Sequence, residues 1–272
     1  MARETIIEER HDGVLVLTLN RPQQKNAFNY RMWSDARDAL ADAHGDDAVR
    51  VVVVTGAGGA FTAGQDLVEM GGQRPPGVDE REFGSAFDRF MDVLCAFDKP
   101  LLAAVNGVGV GIGLTLLLHC DYAFIARGAR LRAPFVTLGV VPEAASSYLL
   151  PVIIGHRQAM DLLFESDFID AARAVELGLA TTLCEPEQLL DATMARAQAL
   201  AAKPLGSLRY TKRLVLETRA DQVRLARERE NQGFARRVGS PENIEAVTAF
   251  LEKRPADFSQ VPSHDLDKPI GS

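Results

Sequence analysis

Two segments of this 272-residue chain offer main-chain chemistry, and one acid stands at an expected helix start. The first segment is Gly58–Leu67 (GGAFTAGQDL) and the second is Asn106–Thr115 (NGVGVGIGLT). Each follows a short apolar run. Glycines at such turns let the backbone approach a ligand closely and leave amides pointing outward. Neither is a Walker loop, because no Gly-Lys-Ser/Thr follows, and the strictly alternating glycines of the second miss the dinucleotide-binding spacing. Taken singly, each reads equally well as tight strand–helix packing. The acid is Glu143, in Leu138–Tyr148 (LGVVPEAASSY). Apolar surroundings raise a carboxylate's pKa toward neutrality, where a general base works best, and Phe135, Val140 and Val141 are near in sequence. By position alone Glu143 reads as an N-terminal helix acid, favoured by the helix dipole.

Other reactive side chains are less promising. Asp66 and Asp121 read as capping or loop-fixing groups, Glu69 as part of a solvated helix face, and His119 beside Cys120 as core. The three cysteines, Cys95, Cys120 and Cys184, are far apart with no C-x-x-C, and the five histidines lack metal-ligand spacing. That pattern argues against a disulfide scaffold or a zinc site and suits a reducing cytoplasm.

The elements that position these groups alternate between strand and helix. Thr5–Glu9 and Val14–Leu19 read as strands joined by an Asp12-Gly13 turn. Asn29 caps a helix to about Ala43. Val51–Thr55, Leu101–Val105 and Tyr122–Ala126 read as buried strands, and Glu82–Phe97 as one amphipathic helix. Gly71–Val78, with two prolines, reads as a surface loop. After Leu149 helical patterns dominate: His156–Phe164, Ala171–Leu177, Glu187–Ala201, Leu205–Val215, Asp221–Arg237, and a last helix opened by Ser240-Pro241-Glu242. The tail after Pro262 reads as poorly ordered. No internal repeat is visible. The expectation is an α/β core followed by a helical region.

Composition narrows the function classes. A net charge of −7 without a basic run disfavours nucleic-acid binding. Leu101–Leu118 is almost wholly apolar, yet Asn106 and four glycines make it a strand, a loop and a helix start rather than a membrane span. Met1–Arg10 is charged and lacks the apolar stretch of a secretory signal.

Together, Phe61-x-x-Gly64-x-Asp66-Leu67, Asn106-Gly107 with its glycines, Cys120-Asp121, Pro134, Leu138-Gly139, Pro142, Ala171–Leu179 and Ala249–Lys253 (AFLEK) resemble the crotonase, or enoyl-CoA hydratase/isomerase, superfamily. The resemblance implies a ClpP-like spiral of repeated ββα units over residues 1–200, and a helical C-terminal region, 201–272, that supports trimers or dimers of trimers. It implies an acyl-CoA thioester substrate and no cofactor besides the coenzyme A carried by that substrate. It further implies an oxyanion hole made by the amides of Gln65 and Ile112, with Ile112 opening a helix whose dipole favours the enolate. Coenzyme A contacts would fall on Lys25 and Ala27 in Arg21–Ala27 (RPQQKNA), on Ala63, Asp66 and Leu67, and on the C-terminal Phe234, Phe250 and Lys253, which in the family reach a neighbouring subunit's ligand.

The chain departs from family hydratases where they carry two glutamates. Here those positions are Thr115 and Phe135. Threonine is no carboxylate base and phenylalanine has no proton to give. The segment around Glu143 is instead similar to the Δ3,Δ2-enoyl-CoA isomerase branch, which implies that Glu143 moves a proton between C2 and C4. Other crotonase reactions, hydration or thioester hydrolysis among them, and a non-catalytic acyl-CoA-binding subunit are the rival readings.

Overall fold

The computed structural model describes residues 3–71 and 73–262. Among these described residues ten strands form two sheets. Strands β1 (Ile6–His11) and β2 (Val14–Leu19) make an antiparallel hairpin. Its turn puts Asp12 (φ 46°) and Gly13 (φ 84°) in the left-handed region, as a tight two-residue hairpin requires. Beyond it come β3 (Val51–Gly56), β4 (Ala60–Thr62), β5 (Leu101–Val105), β6 (Val108–Val110), β7 (Tyr122–Ala126), β8 (Arg130–Arg132), β9 (Ile169–Asp170) and β10 (Thr182–Cys184).

The larger sheet runs β1-β2-β3-β5-β7-β10, parallel from β2 onward. Strand β5 is buried throughout and β3 nearly so, which is why both are apolar without alternation. The smaller sheet runs β4-β6-β8-β9. Three times the chain therefore passes through the large sheet, steps to the small one, and then enters helical structure: β3 to β4, β5 to β6, β7 to β8. This is a spiral of strand–strand–helix turns. The repeat is one of geometry, since the turns share no sequence pattern.

Helices Tyr30–Gly45 and Ala86–Ala96 pack on each other, with Phe28, Trp33 and Phe90 between them. Helix Leu189–Ala201 lies across β2, β3, β5 and β7. The read caps are present: the amide of Met32 donates to Asn29 Oδ1 (2.9 Å), and that of Asn243 to Ser240 Oγ (3.2 Å).

Several expectations need correction. Glu82–Phe97 is two helices, Glu80–Gly84 and Ala86–Ala96, broken at Ser85. Helix Ser146–Ile154 was not anticipated, because Pro151 inside it reads as a breaker. The short strands of the small sheet were missed, being only two or three residues long. The reading of the tail beyond Pro262 lies outside the described residues.

The C-terminal helices are Leu205–Glu217, Ala220–Arg237 and Pro241–Glu252. The second packs on Ser146–Ile154, and the third is pinned to Leu138, whose carbonyl accepts from Asn243 Nδ2 at 2.7 Å. Leu205–Glu217 buries none of its residues fully and presents Tyr210, Leu214 and Val215 outward. Among the described residues no helix is long and apolar enough to cross a membrane.

Candidate active site

Strands β4, β6 and β8 lie side by side and parallel in the small sheet. The segments leaving their C-terminal ends carry Gln65, Ile112 and Glu143 respectively. That is the edge of a parallel sheet at which ligands usually bind. The first two segments cross backbone to backbone at Gly64 and Gly111. Gly64 has φ +90°, and a Cβ there would stand 2.7 Å from the Val110 carbonyl oxygen. Gly111 has φ +56°, and its Cβ would lie 3.9 Å from Gly64 Cα. The amides of Gln65 and Ile112 follow this crossing directly.

Their neighbours fix which way they point. Phe28 donates to the Gly64 carbonyl (2.7 Å) and accepts from the Asp66 amide (2.9 Å), so the intervening Gln65 amide faces the opposite side. Around Ile112, the Gly111 amide donates to Arg132 (3.0 Å), and the Gly111 carbonyl accepts from Leu114 and Thr115. Ile112 is the first residue of its helix, where an amide has no intrahelical acceptor. Among the described residues neither the Gln65 nor the Ile112 amide has an acceptor. The helix that Ile112 opens has only four α-helical residues before tightening to 3-10 geometry. The expected dipole support is therefore small, and the two amides themselves are the relevant feature.

The segments matched to coenzyme A contacts also come together. The Ala63 amide donates to the Lys25 carbonyl (2.8 Å), and Arg21 Nη1 bridges the Ala27 carbonyl (2.5 Å) and the Asp66 carboxylate (3.0 Å). Asp66 caps the short helix that begins at Leu67, accepting from the Val68 amide (3.1 Å). Sequence reasoning missed Asn26, which organises this junction. It is fully buried with φ 56°, and its side-chain amide donates to the carbonyls of Ala57, Ala60 and Phe61. Lys25 stays exposed beside it, while Ala27 is buried. Phe250 and Lys253 lie exposed on and just after the last helix, and Phe234 packs against the core.

Glu143 is partly buried, and Thr115 Oγ1 donates to its Oε1 at 2.7 Å. Thr115 is three residues beyond Ile112, a rise of about 4.5 Å along a helix, so the segment that Ile112 opens also carries the donor to the carboxylate. Burial pushes the Glu143 pKa from 4.5 up to about 8; Thr115 opposes the rise and the nearby Glu230 carboxylate adds to it. Residues Ala144 and Ala145 both adopt φ 58°, a conformation costing about 1–2 kcal/mol per residue. Side chains of other elements help hold this turn. Glu230, buried on helix Ala220–Arg237, accepts from the amides of Ala145 (2.7 Å) and Ser147 (2.8 Å). His119 Nε2 donates to the Ala144 carbonyl (2.8 Å).

Burial lowers the His119 pKa to about 4 and raises that of Cys120 to about 12. A neutral imidazole spent on a carbonyl and a protonated thiol are no nucleophilic pair, which agrees with the core reading of both. Glu69 is corrected: its carboxylate accepts from the Tyr30 amide (2.6 Å) at a helix start, and burial raises its pKa. It is not a freely solvated acid.

Residues 9–261 match the enoyl-CoA hydratase/isomerase family. The chain belongs to that family. The solved enoyl-CoA hydratase/isomerase of Pseudoalteromonas atlantica superimposes with a TM-score of 0.87 at 36% identity, covering 94% of this chain and all of the other. Two curated relatives are as near in sequence. The 1,2-epoxyphenylacetyl-CoA isomerase of Escherichia coli is 35% identical, over 94% of this chain and 98% of its own length. The crotonyl-CoA hydratase of Syntrophomonas wolfei is 33% identical, over 95% and 99%. The crotonase spiral is thus the fold, and acyl-CoA chemistry is the family's province. Overall identity does not separate isomerase from hydratase.

Proposed function

We propose that this protein isomerises 3-enoyl-CoA thioesters to 2-enoyl-CoA thioesters, with Glu143 as the single base. The thioester oxygen sits between the amides of Gln65 and Ile112. Ionised Glu143 takes a proton from C2, and that electron pair delocalises through C1 onto the oxygen, giving a dienolate. Protonated Glu143 then returns the proton to C4 as the double bond settles between C2 and C3. No electrons are gained or lost overall and no water is consumed, so the reaction requires no redox cofactor. Each amide donor contributes about 3 kcal/mol to stabilising the developing oxyanion. Lys25, Ala27, Ala63, Asp66 and Leu67 are assigned to the coenzyme A moiety.

The observation that carries this reading is the contact between Thr115 and Glu143. Where the resemblance places a hydratase's first glutamate, Thr115 instead holds an oxygen of the Glu143 carboxylate. Phe135, at the second glutamate's position, is buried and offers no proton. Hydration needs two acid–base groups to hold and split water; a 1,3-proton shift needs one. The identity to a crotonyl-CoA hydratase favours hydration as the second reading. Assaying a 3-enoyl-CoA for conjugation and a 2-enoyl-CoA for hydration separates them. Isomerisation is expected to exceed hydration by a factor on the order of 10² or more; rapid hydration without isomerisation overturns the proposal.

Assembly into trimers or dimers of trimers is part of the same proposal. It is supported by the outward Tyr210, Leu214 and Val215 on Leu205–Glu217, an apolar row of the kind that marks association surfaces. Sedimentation showing a stable, fully active monomer removes it.

A further inference from the structure

We propose that Thr115 is a positioning residue for proton transfer, whose hydroxyl engages Oε1 of Glu143 and so dedicates Oε2 to the substrate. The inference rests on the reading of Glu143 as the base and assigns a positioning role to the residue that bonds to it.

Thr115 is fully buried, and its Oγ1 lies 2.7 Å from Glu143 Oε1. An ionised carboxylate only accepts hydrogen bonds, so Thr115 is the donor. No other side chain or amide among the described residues bonds to either Glu143 oxygen, and Oε2 is not among the buried atoms sealed without a partner. One oxygen is therefore held and the other remains open. A 1,3-shift asks for this division, because a single atom must reach C2 and then C4 from one face. A freely rotating carboxylate would exchange its oxygens between the two steps.

The donor also favours the ionised form of the base. The charged groups around it act in both directions. Glu230, on the helix packed behind the turn, is a like charge that raises the proton affinity of Glu143. Arg227 on the same helix draws Glu230 down and is itself paired with Asp92 (2.8 Å). His119, below the Ala144 carbonyl, is neutral, its pKa held at about 4. Thr115 is the one group that opposes burial by direct donation to the reacting carboxylate.

The test is the pH profile of kcat/KM for 3-enoyl-CoA conversion in the full-length wild type, Thr115→Val, Thr115→Ala and Thr115→Ser. Removing the donor in Val or Ala is expected to move the acid limb up by about one pH unit and to lower kcat at pH 7 about tenfold, with KM changed less than twofold. Thr115→Ser, which keeps the hydroxyl, is expected to restore both. Thr115→Ala is the second arm because valine's extra methyl contact in a sealed site can disturb folding, and each variant is first checked for binding of a saturated acyl-CoA. A folded Val or Ala variant with the wild-type limb and kcat overturns the proposal. Glu143→Gln, run in parallel, separates the two failures. If Glu143→Gln is inactive while Thr115 variants are unaffected, only the role of Thr115 falls; if Glu143→Gln is fully active, the base assignment falls and this inference with it.

Discussion

The two halves of the candidate site are built from different materials. The segments after β4 and β6 present main-chain amides, and what fixes them is the crossing of Gly64 and Gly111. The segment after β8 presents a carboxylate, and what fixes it is a set of side chains from other elements: Thr115, His119 and Glu230. Amides do not titrate, and their direction is indifferent to the side chain they precede, so Ile112 serves as well as glycine. The carboxylate titrates near neutrality and depends on every neighbour. On the proposed reading, a fold with this division keeps oxyanion stabilisation constant while a few side chains select where protons go. That accounts for a hydratase and an isomerase standing at nearly equal distance from this chain.

The largest effect that sharpens the contrast is on the titrating side. Glu143→Gln preserves shape but cannot accept the C2 proton, and turnover of 3-enoyl-CoA is expected to fall by about 10²–10⁴. Coenzyme A thioester binding should stay within a few-fold, since its contacts are assigned elsewhere. Single-turnover kinetics on a folded, ligand-competent variant check this; wild-type turnover would sink the assignment and leave Glu69, already engaged with the Tyr30 amide, as the next carboxylate.

On the other side, Gly64→Ala is expected to cost about 10²–10³ in kcat, the span for loss of one oxyanion donor. The added methyl meets the Val110 carbonyl oxygen at 2.7 Å in a left-handed backbone, so the crossing must open and the two amides lose their common target. The loss should be independent of pH, unlike that of any change around Glu143. A pH-dependent defect in Gly64→Ala, measured by the same profile, would break the comparison.

Legibility in the sequence followed the same division. The glycine segments, the caps at Asn29 and Ser240 and the buried strands were readable because each rests on local chain chemistry. Glu143 was readable only through the resemblance, since its position alone reads as a helix acid. Glu230 carried no signal: it lies in a run of charged residues and meets the base loop from 83 and 85 positions away. Thr115 was read as the absence of a glutamate, not as a donor, because its partner is 28 residues distant. Asn26 looked like one more polar residue in a loop, though it satisfies three carbonyls. The small sheet escaped because strands of two or three residues have no period to detect.

The last effect is thermodynamic, and it tests the environment of Glu143 apart from its catalysis. Its pKa is about 8 in the fold against an ordinary 4.5. Between those values the folded protein holds a proton that the unfolded chain has released. Stability attributable to this group is therefore fully present below pH 4.5, declines as pH rises, and is lost above about pH 8. Each tenfold difference in proton affinity is worth about 1.4 kcal/mol, so the loss is at most about 5 kcal/mol. Glutamine has no proton to lose and is free of this decline. Thermal melts of wild type and Glu143→Gln should therefore diverge from about pH 5 to pH 8, with the variant gaining several degrees, and run parallel above pH 8. Melting differences that stay constant across this range would mean that Glu143 titrates at its ordinary value, in a solvated rather than enclosed position. The loop after β8 would then have to be open in solution, and the contrast with the rigid amide crossing would become one of mobility instead of charge.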